Sequence, residues 1–276
     1  MSSHGITWLA SYPKSGNTWT RIILATLAAG GRRPPLSEIV RYGANAGTFA
    51  WIRSMVDIPP DDLLLGERRL LRAEAVRLHA AAASGFAPLK VHDRYDDRLA
   101  PGAPVAGIVY IVRDPRDVAP SFADHSNVTL DRAVAMLNTP DYTMSTGTKA
   151  WRPQVPQTLG SWSQHVRSWT AGHDHPLLIL RYEDMLADPC AAIERIADFT
   201  GMSVNRACVE ATAQACAFGA IRAEEDAHGF AERTQGQRRF FRQGRSGAWR
   251  GVLSDDQAAA LWRHHGDVMG SLGYAP

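Results

Sequence analysis

The sequence predicts an α/β protein with a central parallel sheet flanked by helices. Short apolar stretches alternate with longer stretches of helical periodicity along the chain. The longest apolar stretch, Ala106–Val112, is continuous, which is typical of a strand buried on both faces of a parallel sheet. No internal repeat and no change of composition marks a boundary, so we expect a single domain over residues 1–276.

The first predicted strand and helix enclose an anion-binding loop. Ile6–Ser11 is apolar and β-prone, and apolar residues recur at helical spacing from Trp19 to Leu27. In such a unit the loop amides and the helix dipole attract a phosphate, glycine permits its close approach and lysine adds a mobile cation. The loop resembles a nucleotide-binding P-loop, but GxxxxGK[ST] is absent because Lys14 precedes Gly16. For the loop alone, a strand–turn–helix without a ligand is the alternative.

The remaining elements follow from apolar runs and helix-boundary residues. We expect strands at Phe86–Val91, Ala106–Val112 and Leu177–Leu180, and helices from Ser37, from Asp61 to Ser84, from Pro115, and around Thr129–Leu137, Trp162–Trp169, Cys190–Phe199, Arg206–Cys216 and Ser254–Met269. Asn45–Pro60 and Asn138–Pro156 lack strict periodicity, and we expect both to frame a binding pocket. Core packing is the alternative for the first segment and disorder for the second.

Composition and charge exclude several classes of protein. The net charge of +2, from 30 basic and 28 acidic residues, provides no strong field toward nucleic acid or membrane. The three cysteines have neither CxxC pairing nor metal spacing with histidine, so we expect reduced thiols, no metal site and a cytoplasmic protein. The N-terminus lacks the basic and apolar regions of a signal peptide, and we expect no membrane anchor.

Polar and basic residues follow four predicted strands. They are Lys14–Thr18, Lys90 with His92, Arg113 with Asp114, and Tyr182 with Glu183. Because ligands of such sheets bind at the carboxyl ends of the strands, we expect these residues to form one site.

Several segments resemble motifs of the cytosolic-type, PAPS-dependent sulfotransferase family, here in the form of a bacterial small-molecule enzyme. YPKSGNTW (Tyr12–Trp19) resembles the loop for the 5′-phosphosulfate, and IVRDPRDVAPS (Ile111–Ser121) resembles the 3′-phosphate segment. RYEDM (Arg181–Met185), FRQGRSGAW (Phe241–Trp249) and GSWSQHVRSW (Gly160–Trp169) resemble further elements. The matches occur in family order and cover the chain almost end to end. They imply the family's P-loop-like fold and sulfuryl transfer from 3′-phosphoadenosine 5′-phosphosulfate (PAPS), with PAP as product and no metal.

The resemblance also implies roles for individual residues. His92 occupies the family's general-base position, and the ordinary pKa of histidine suits that task near neutrality. Lys14 matches the lysine that stabilises charge on the bridging oxygen, and Lys90 is expected to assist it. The residues matched to the donor are Lys14, Ser15, Gly16, Asn17 and Thr18 at the 5′-phosphate, Arg113, Ser121, Arg242, Gln243 and Gly244 at the 3′-phosphate, and Trp19, Tyr182 and Phe218 at the adenine. For His92 and for each aromatic residue, a purely structural role is the alternative.

The chain departs from the family pattern in three places. Gln243 stands where lysine is common, and Ala248 replaces a common acidic residue. The usual C-terminal dimer motif would begin at Arg250 but is not reproduced, so a homodimer would have to use another surface.

The sequence also suggests a class of acceptor and leaves two rival functions open. Family analogy and the missing anchor suggest a small-molecule phenol or alcohol as acceptor and a role in secondary metabolism. The first rival is a P-loop kinase or nucleotide hydrolase, for which Asp114 is the one candidate magnesium ligand. The second rival is a non-catalytic module that binds PAP. The presence of both Lys14 and His92 argues against the second.

Overall fold

The computed structural model describes residues 4–59, 63–146, 154–234 and 236–276. Its strands are β1 (Ile6–Ser11), β2 (Ala44–Asn45), β3 (Ala87–Val91), β4 (Val105–Val112), β5 (Thr143–Met144), β6 (Gln157–Thr158) and β7 (Leu177–Arg181). Its α-helices are α1 (Asn17–Ala28), α2 (Phe49–Val56), α3 (Leu65–Ala82), α4 (Pro115–Ser126), α5 (Leu130–Asn138), α6 (Trp162–Thr170), α7 (Tyr182–Ala187), α8 (Pro189–Thr200), α9 (Arg206–Ala215), α10 (Phe218–His228) and α11 (Asp255–Ser271). Short 3₁₀ helices lie at Leu36–Arg41 and Asp97–Leu99.

A central sheet with the strand order β2-β3-β1-β4-β7 confirms the predicted α/β class. β3 pairs in parallel with both β1 and β2, and Leu9 lies beside Lys90 in the register. All six residues of β1 are buried, as expected for a strand covered on both faces. β5 and β6 form a separate antiparallel pair.

Several predicted boundaries agree closely with the structure. The strands predicted at Phe86–Val91, Ala106–Val112 and Leu177–Leu180 correspond to β3, β4 and β7, with ends that differ by one residue. Ser254 caps α11 as expected, since its hydroxyl accepts the amide hydrogen of Gln257.

The segment Asn45–Pro60, whose sequence lacks strict periodicity, contains a helix that was not predicted, and its apolar residues pack in a core. Within it, β2 ends at Asn45 and α2 spans Phe49–Val56, while Pro60 lies outside the described residues. Phe49 and Ile52 are buried in a cluster that also takes in neighbouring large apolar side chains of α2. Because apolar residues occupy more than one side of this short helix, its period is not visible in the sequence.

Helix α3 begins at Leu65, later than predicted, and buries a different face. The sequence predicts an apolar stripe of Leu70, Leu71, Ala75 and Leu78 in this helix, but Leu70 is 73% exposed, whereas Ala75 is buried. Arg72 takes an inward position because it forms a buried ion pair with Asp93. Charge pairing therefore sets the orientation of this helix, which an apolar pattern does not reveal.

Two further helices were not predicted. α10 lies between Cys216 and Arg238, where no element was predicted, and its buried residues are Ile221 and Glu225. α7 is short and follows β7 directly. Neither presents enough apolar residues for a recognisable helical stripe.

Contacts between Cα atoms divide the chain into two compact units. Unit 1 consists of Met1–Tyr12, Gly43–Tyr110 and Thr139–Ile179. Unit 2 consists of Pro13–Tyr42, Ile111–Asn138 and Leu180–Pro276. The core of unit 1 is rich in buried aromatic residues, namely Trp8, Tyr110, Trp162 and Trp169. In unit 2, α1 packs against α8 and α9 through buried aliphatic side chains.

The single domain over 1–276 stays a prediction. Among the described helices, none is long and apolar enough to cross a bilayer.

Candidate active site

The loop between β1 and α1 has a constrained backbone. Lys14 and Gly16 adopt left-handed conformations, with φ of 70° and 111°. For lysine this conformation costs about 1–2 kcal/mol, so the loop holds Lys14 under strain. A Cβ at position 16 would lie 2.8 Å from the Tyr182 ring, which explains the glycine. α1 begins at the next residue, and its first-turn amides have no partner within the helix.

Ser15 is a buried polar group in this loop. Its side chain is fully buried, and within the ranges that the structure describes its hydroxyl has no hydrogen-bond partner. Asn17, two residues later, is also buried. Because buried hydroxyl groups are rarely left unbonded, Ser15 indicates a place for a ligand or water.

Arg113 connects three parts of unit 2. Its guanidinium donates to the carbonyl oxygen of Lys14 at 3.3 Å and to that of Arg245 at 3.2 Å. It also lies over the Tyr182 ring, 4.3 Å from the centroid. Its Nε is buried and has no partner among the described residues. Arg113 thus joins the anion-binding loop, α7 and the arginine-rich loop (residues 238–251), and its Nε–H has no partner among the described residues.

Arg242 adds a second positive charge near Arg113. Burial lowers the pKa of Arg242, an effect that the nearby Asp124 opposes and the positive charge of Arg113 reinforces. Arg245 contributes to the same repulsion. Several guanidinium groups close to one another form a site suited to a multiply charged anion.

Two carboxylates hold the arginine-rich loop in place. Asp117 accepts the amide hydrogens of Gly247 at 2.7 Å and Trp249 at 2.8 Å. Glu225 accepts those of residues 240 and 241 at 2.6 and 2.9 Å. Burial raises the pKa of Asp117, while the charge of Arg113 and the two amides act in the opposite direction. These carboxylates accept main-chain amides of the loop, whereas the Arg239 side chain in the loop pairs with Asp226.

Gly244 and Phe218 were predicted to bind different parts of the donor, and the structure brings them together. Gly244 has φ of 61°, and a Cβ there would lie 2.1 Å from an atom of the Phe218 ring. The ring therefore lies directly on the glycine. The loop that contains Gly244 is therefore in direct contact with the first residue of α10.

The other two aromatic residues predicted near the adenine also meet. The rings of Trp19 and Tyr182 are edge-to-face, with centroids 5.7 Å apart. The Trp19 indole donates to the carbonyl oxygen of Cys216 at 2.9 Å, so its nitrogen already has a partner. Burial raises the pKa of Tyr182, which keeps its hydroxyl neutral.

Three further residues predicted to bind the donor are Ser121, Gln243 and Lys14. Ser121 lies on α4 and is partly exposed, as is Gln243 in the arginine-rich loop. The ammonium of Lys14 lies over the Phe240 ring, 4.2 Å from its centroid. Phe240 was not singled out in the sequence.

Glu232 is another residue that sequence reasoning missed. Its carboxylate accepts a hydrogen bond from the Thr18 hydroxyl at 3.2 Å and pairs with the Arg21 guanidinium at 2.5 Å. Arg21 is fully buried in the otherwise apolar helix α1. A buried arginine requires a charged partner, so its position within an apolar stretch was the available clue.

His92 and Lys90 belong to unit 1. Lys90 is in β3, and His92 follows that strand; both are buried. His92 Nδ1 lies 2.8 Å from the carbonyl oxygen of Ser11. A carbonyl can only accept, so Nδ1 carries the hydrogen and the lone pair of the neutral ring is on Nε2.

Other groups that could serve as a base are engaged. Asp93 forms a bidentate ion pair with Arg72. The hydrogen bond from Arg98 lowers the pKa of Asp96 to about 2, which makes Asp96 a weak base. His125 lies 3.4 Å from the side-chain oxygen of Gln237.

Asp114, the candidate magnesium ligand of a kinase, is also engaged. Its carboxylate caps α4 and forms a buried bidentate ion pair with Arg116. Its amide donates to Glu183 at 3.0 Å, which joins the chain after β4 to α7. Among the described residues there is no cluster of three or more histidine, cysteine or acidic side chains suited to a metal.

The two aperiodic segments of unit 1 meet. Thr48 and Gln154 form an isolated antiparallel bridge, and the amide of Val155 donates to the carbonyl oxygen of Gly47 at 2.8 Å. Val155 is buried in the same cluster as Phe49 of α2. Residues 147–153, which include Trp151, lie outside the described residues.

Comparison with protein families gives one match over nearly the whole chain. The model for the sulfotransferase domain matches residues 5–273. A curated relative, flavonol 3-sulfotransferase of Flaveria bidentis, is 23% identical over 96% of this chain and 82% of its own length. Rattus norvegicus sulfotransferase 2A1 is 27% identical over 71% of this chain, and the match spans 60% of that relative.

Comparison with solved structures gives the same fold. Retinol dehydratase in complex with androsterone and inactive cofactor PAP has a TM-score of 0.64 at 21% identity, and the match covers 95% of this chain and 80% of that one. A mouse sulfotransferase complexed with PAP has a TM-score of 0.61 at 20% identity, covering 98% and 84%.

Proposed function

This chain belongs to the sulfotransferase domain family, and from that premise we propose that it moves a sulfuryl group from PAPS to a hydroxyl of a small-molecule acceptor. By its family the chain is a PAPS-dependent enzyme. The proposal assigns donor binding to residues of unit 2 and proton removal to His92 of unit 1. A cytoplasmic location also belongs to the proposal, and it is consistent with three free cysteines.

The arrangement around Arg113 is the observation that carries the donor assignment. Its guanidinium joins the Lys14 loop to the Arg245 loop, and Arg242 lies close enough for its pKa to respond to the charge of Arg113. A phosphate monoester such as a 3′-phosphate carries up to two negative charges and several acceptor oxygens, which suits this group of arginines.

Unsatisfied donors support a phosphate-rich ligand in unit 2. Both the Ser15 hydroxyl and Arg113 Nε are buried and, as far as the described chain extends, lack partners. The two groups lie in segments that Arg113 itself ties together. PAPS would supply the activated sulfuryl group, and its phosphate oxygens would satisfy such donors.

His92 is proposed to remove the proton of the acceptor hydroxyl. With Nδ1–H directed to Ser11, the lone pair of the neutral ring is on Nε2, the atom that would take that proton. As the acceptor oxygen forms its bond to sulfur, the bond from sulfur to the bridging phosphate oxygen breaks, and negative charge develops on that oxygen. Lys14 would stabilise this charge, with Lys90 in support.

The acceptor is proposed to be a phenol or alcohol on an apolar scaffold. The two segments expected to line the acceptor side meet in unit 1 through the cluster of Phe49, Ile52 and Val155. If these segments also line the acceptor site, their apolar side chains would favour aromatic or aliphatic ring systems over highly charged metabolites.

A transfer assay with radiolabelled PAPS tests the proposal. Phenols, aliphatic alcohols and amines of matched size would be offered, and labelled product and released PAP would be measured together. Equal amounts of a labelled sulfate ester and PAP are expected with a hydroxyl acceptor. Magnesium-dependent ATP hydrolysis, or PAP binding without transfer to any hydroxyl, would contradict it.

A further inference from the structure

Helix α6 makes a series of hydrogen bonds to the main chain that follows β3. The pairs are His165 Nε2 with the His92 carbonyl oxygen at 3.0 Å, Trp169 Nε1 with the Asp93 carbonyl oxygen at 2.8 Å, and Ser168 Oγ with the Tyr95 amide at 2.9 Å. One helix thus holds three positions of a segment that begins at the proposed base.

His165 is itself oriented from its other side. Its Nε2 faces a carbonyl oxygen and therefore donates, so Nδ1 of the neutral ring accepts the Tyr110 hydroxyl hydrogen at 2.9 Å. Burial lowers the pKa of His165 to about 3, which keeps the ring neutral. The His92 carbonyl thus fixes the tautomer of His165, and Tyr110, a fully buried residue of β4, supplies the partner of the other ring nitrogen.

The segment after His92 is anchored on its opposite side as well. The Asp93 carboxylate accepts both terminal nitrogens of Arg72 on α3, at 2.9 and 3.3 Å, and the amide of Thr158 at 3.2 Å. The His92 ring donates a hydrogen bond from Nδ1 to the carbonyl oxygen of Ser11 at the end of β1. The His92 ring and main chain are thus held by separate groups.

We propose that His165 is a positioning residue for the general base, fixing the main chain of His92 so that its Nε2 is directed at the acceptor hydroxyl. The inference depends on the proposed function, because it has meaning only if His92 removes a proton. It assigns a purpose in the reaction to the GSWSQHVRSW segment of unit 1. A buried histidine that only stabilises the core is the alternative.

Substitution of His165 separates these two roles. His165→Leu removes both hydrogen bonds, whereas His165→Gln retains a donor close to the Nε2 position. His265→Gln serves as the matched control, since His265 is also buried in a helix but lies on α11. Turnover, KM for PAPS, PAP affinity and melting temperature would be measured for each.

We expect His165→Leu to lower kcat by roughly 10²-fold, since a small misplacement of a reacting group has effects of that size. PAP affinity and KM for PAPS should stay within about a factor of two, because the substitution displaces His92 and leaves the donor-binding residues unchanged. His165→Gln should recover most of the rate, and His265→Gln should retain wild-type kcat.

The decisive measurement is a double-mutant cycle with His92→Ala. If His165 acts through His92, adding His165→Leu to His92→Ala should change kcat no further. A further loss as large as in the wild-type background would overturn the inference, and so would wild-type kcat in a folded His165→Leu.

Failure of the inference and of the proposed function can be told apart. Wild-type turnover of His92→Ala would remove the general base and the proposal with it. A slow His92→Ala combined with a fast His165→Leu would remove the positioning role alone. If His165→Leu does not fold, Trp169→Phe tests the same segment, because it deletes the hydrogen bond to Asp93 and keeps an aromatic ring, though a smaller one. Unchanged kcat in Trp169→Phe, together with equal rates for His165→Gln and His165→Asn, would then overturn the inference.

Discussion

At the scale of single residues, the hydrogen bonds that a side chain already makes determine which atoms it can offer to a substrate. His92 directs Nδ1–H to Ser11, which puts the lone pair of the neutral ring on Nε2. The terminal nitrogens of Arg113 donate to two carbonyl oxygens, and its Nε has no partner in the described part of the chain. The two predictions at this scale concern the His92 imidazole and the Arg113 guanidinium.

Replacing His92 by alanine should lower kcat by about 10²–10⁴-fold, the usual contribution of a general base. Asparagine should not restore the rate, because an amide does not accept the proton. The defect should shrink for acidic phenols, whose hydroxyl ionises without help. Steady-state kinetics over a series of phenols of graded acidity measures this dependence. An equal loss for every acceptor would indicate that His92 only positions the substrate.

Arg113→Ala should weaken PAP binding by about 1.5–3 kcal/mol, the value of a charge-assisted hydrogen bond. In the wild-type protein, PAP should raise the melting temperature far more than AMP, since AMP lacks the 3′-phosphate. Calorimetric titration and thermal melts measure the two effects. Arg206→Ala is the control, because Arg206 is exposed and forms an ion pair with Glu210, one turn further along α9. Equal stabilisation by PAP and AMP would refute the 3′-phosphate assignment.

At the scale of elements, the arginine-rich loop owes its shape to groups outside it. Asp117 on α4 and Glu225 on α10 each accept two of its amides. Phe218, at the start of α10, covers Gly244. The loop therefore presents Arg242 only when α4 and α10 are in place.

Gly244→Ala should disturb this loop and lower PAP affinity by roughly tenfold or more, since a Cβ at 2.1 Å from the Phe218 ring forces displacement. Gly251→Ala is a matched control: its φ of 79° is equally left-handed, but no atom lies within 4 Å of its Cβ position. Both variants should lose about 1 kcal/mol of stability from backbone strain. Only Gly244→Ala should lose PAP affinity in calorimetric titration. Equal affinities in the two variants would show that Phe218 and Gly244 are not coupled to the donor site.

At the scale of the whole molecule, a buried neutral histidine links stability to pH. Burial lowers the pKa of His165 from its ordinary 6.5 to about 3 in the folded protein. Between these values the unfolded chain binds a proton that the folded protein does not, so the free energy of unfolding falls as the pH decreases.

Wild-type protein should therefore lose stability on acidification faster than His165→Gln. From pH 6.5 downward the difference should grow by at most about 1.4 kcal/mol per pH unit and level off near pH 3. Above pH 6.5 the two curves should run parallel. Urea unfolding at a series of pH values measures the slopes. Parallel curves throughout would mean that His165 is not buried in its neutral form.

The sequence alone determined the local units whose residue types leave few alternatives. An apolar run followed by Pro-Lys-Ser-Gly predicts the β1–loop–α1 unit, because the strand is buried on both faces and glycine permits the turn before the helix. Ala106–Val112 and the Ser254 cap were recognisable for similarly local reasons. The order of the family-like motifs predicted which segments would supply the site.

Only the tertiary structure decided the interactions that depend on contacts between distant segments. Glu232 pairs with Arg21 across 211 positions of the chain, and His165 reaches the carbonyl of His92 across 73. α2 and α10 form although their own patterns do not predict helices, because neighbouring elements bury Phe49 and Glu225. A local pattern records which side of a segment is apolar, whereas a buried charge or a bonded histidine is explained only by the partner that folding brings to it.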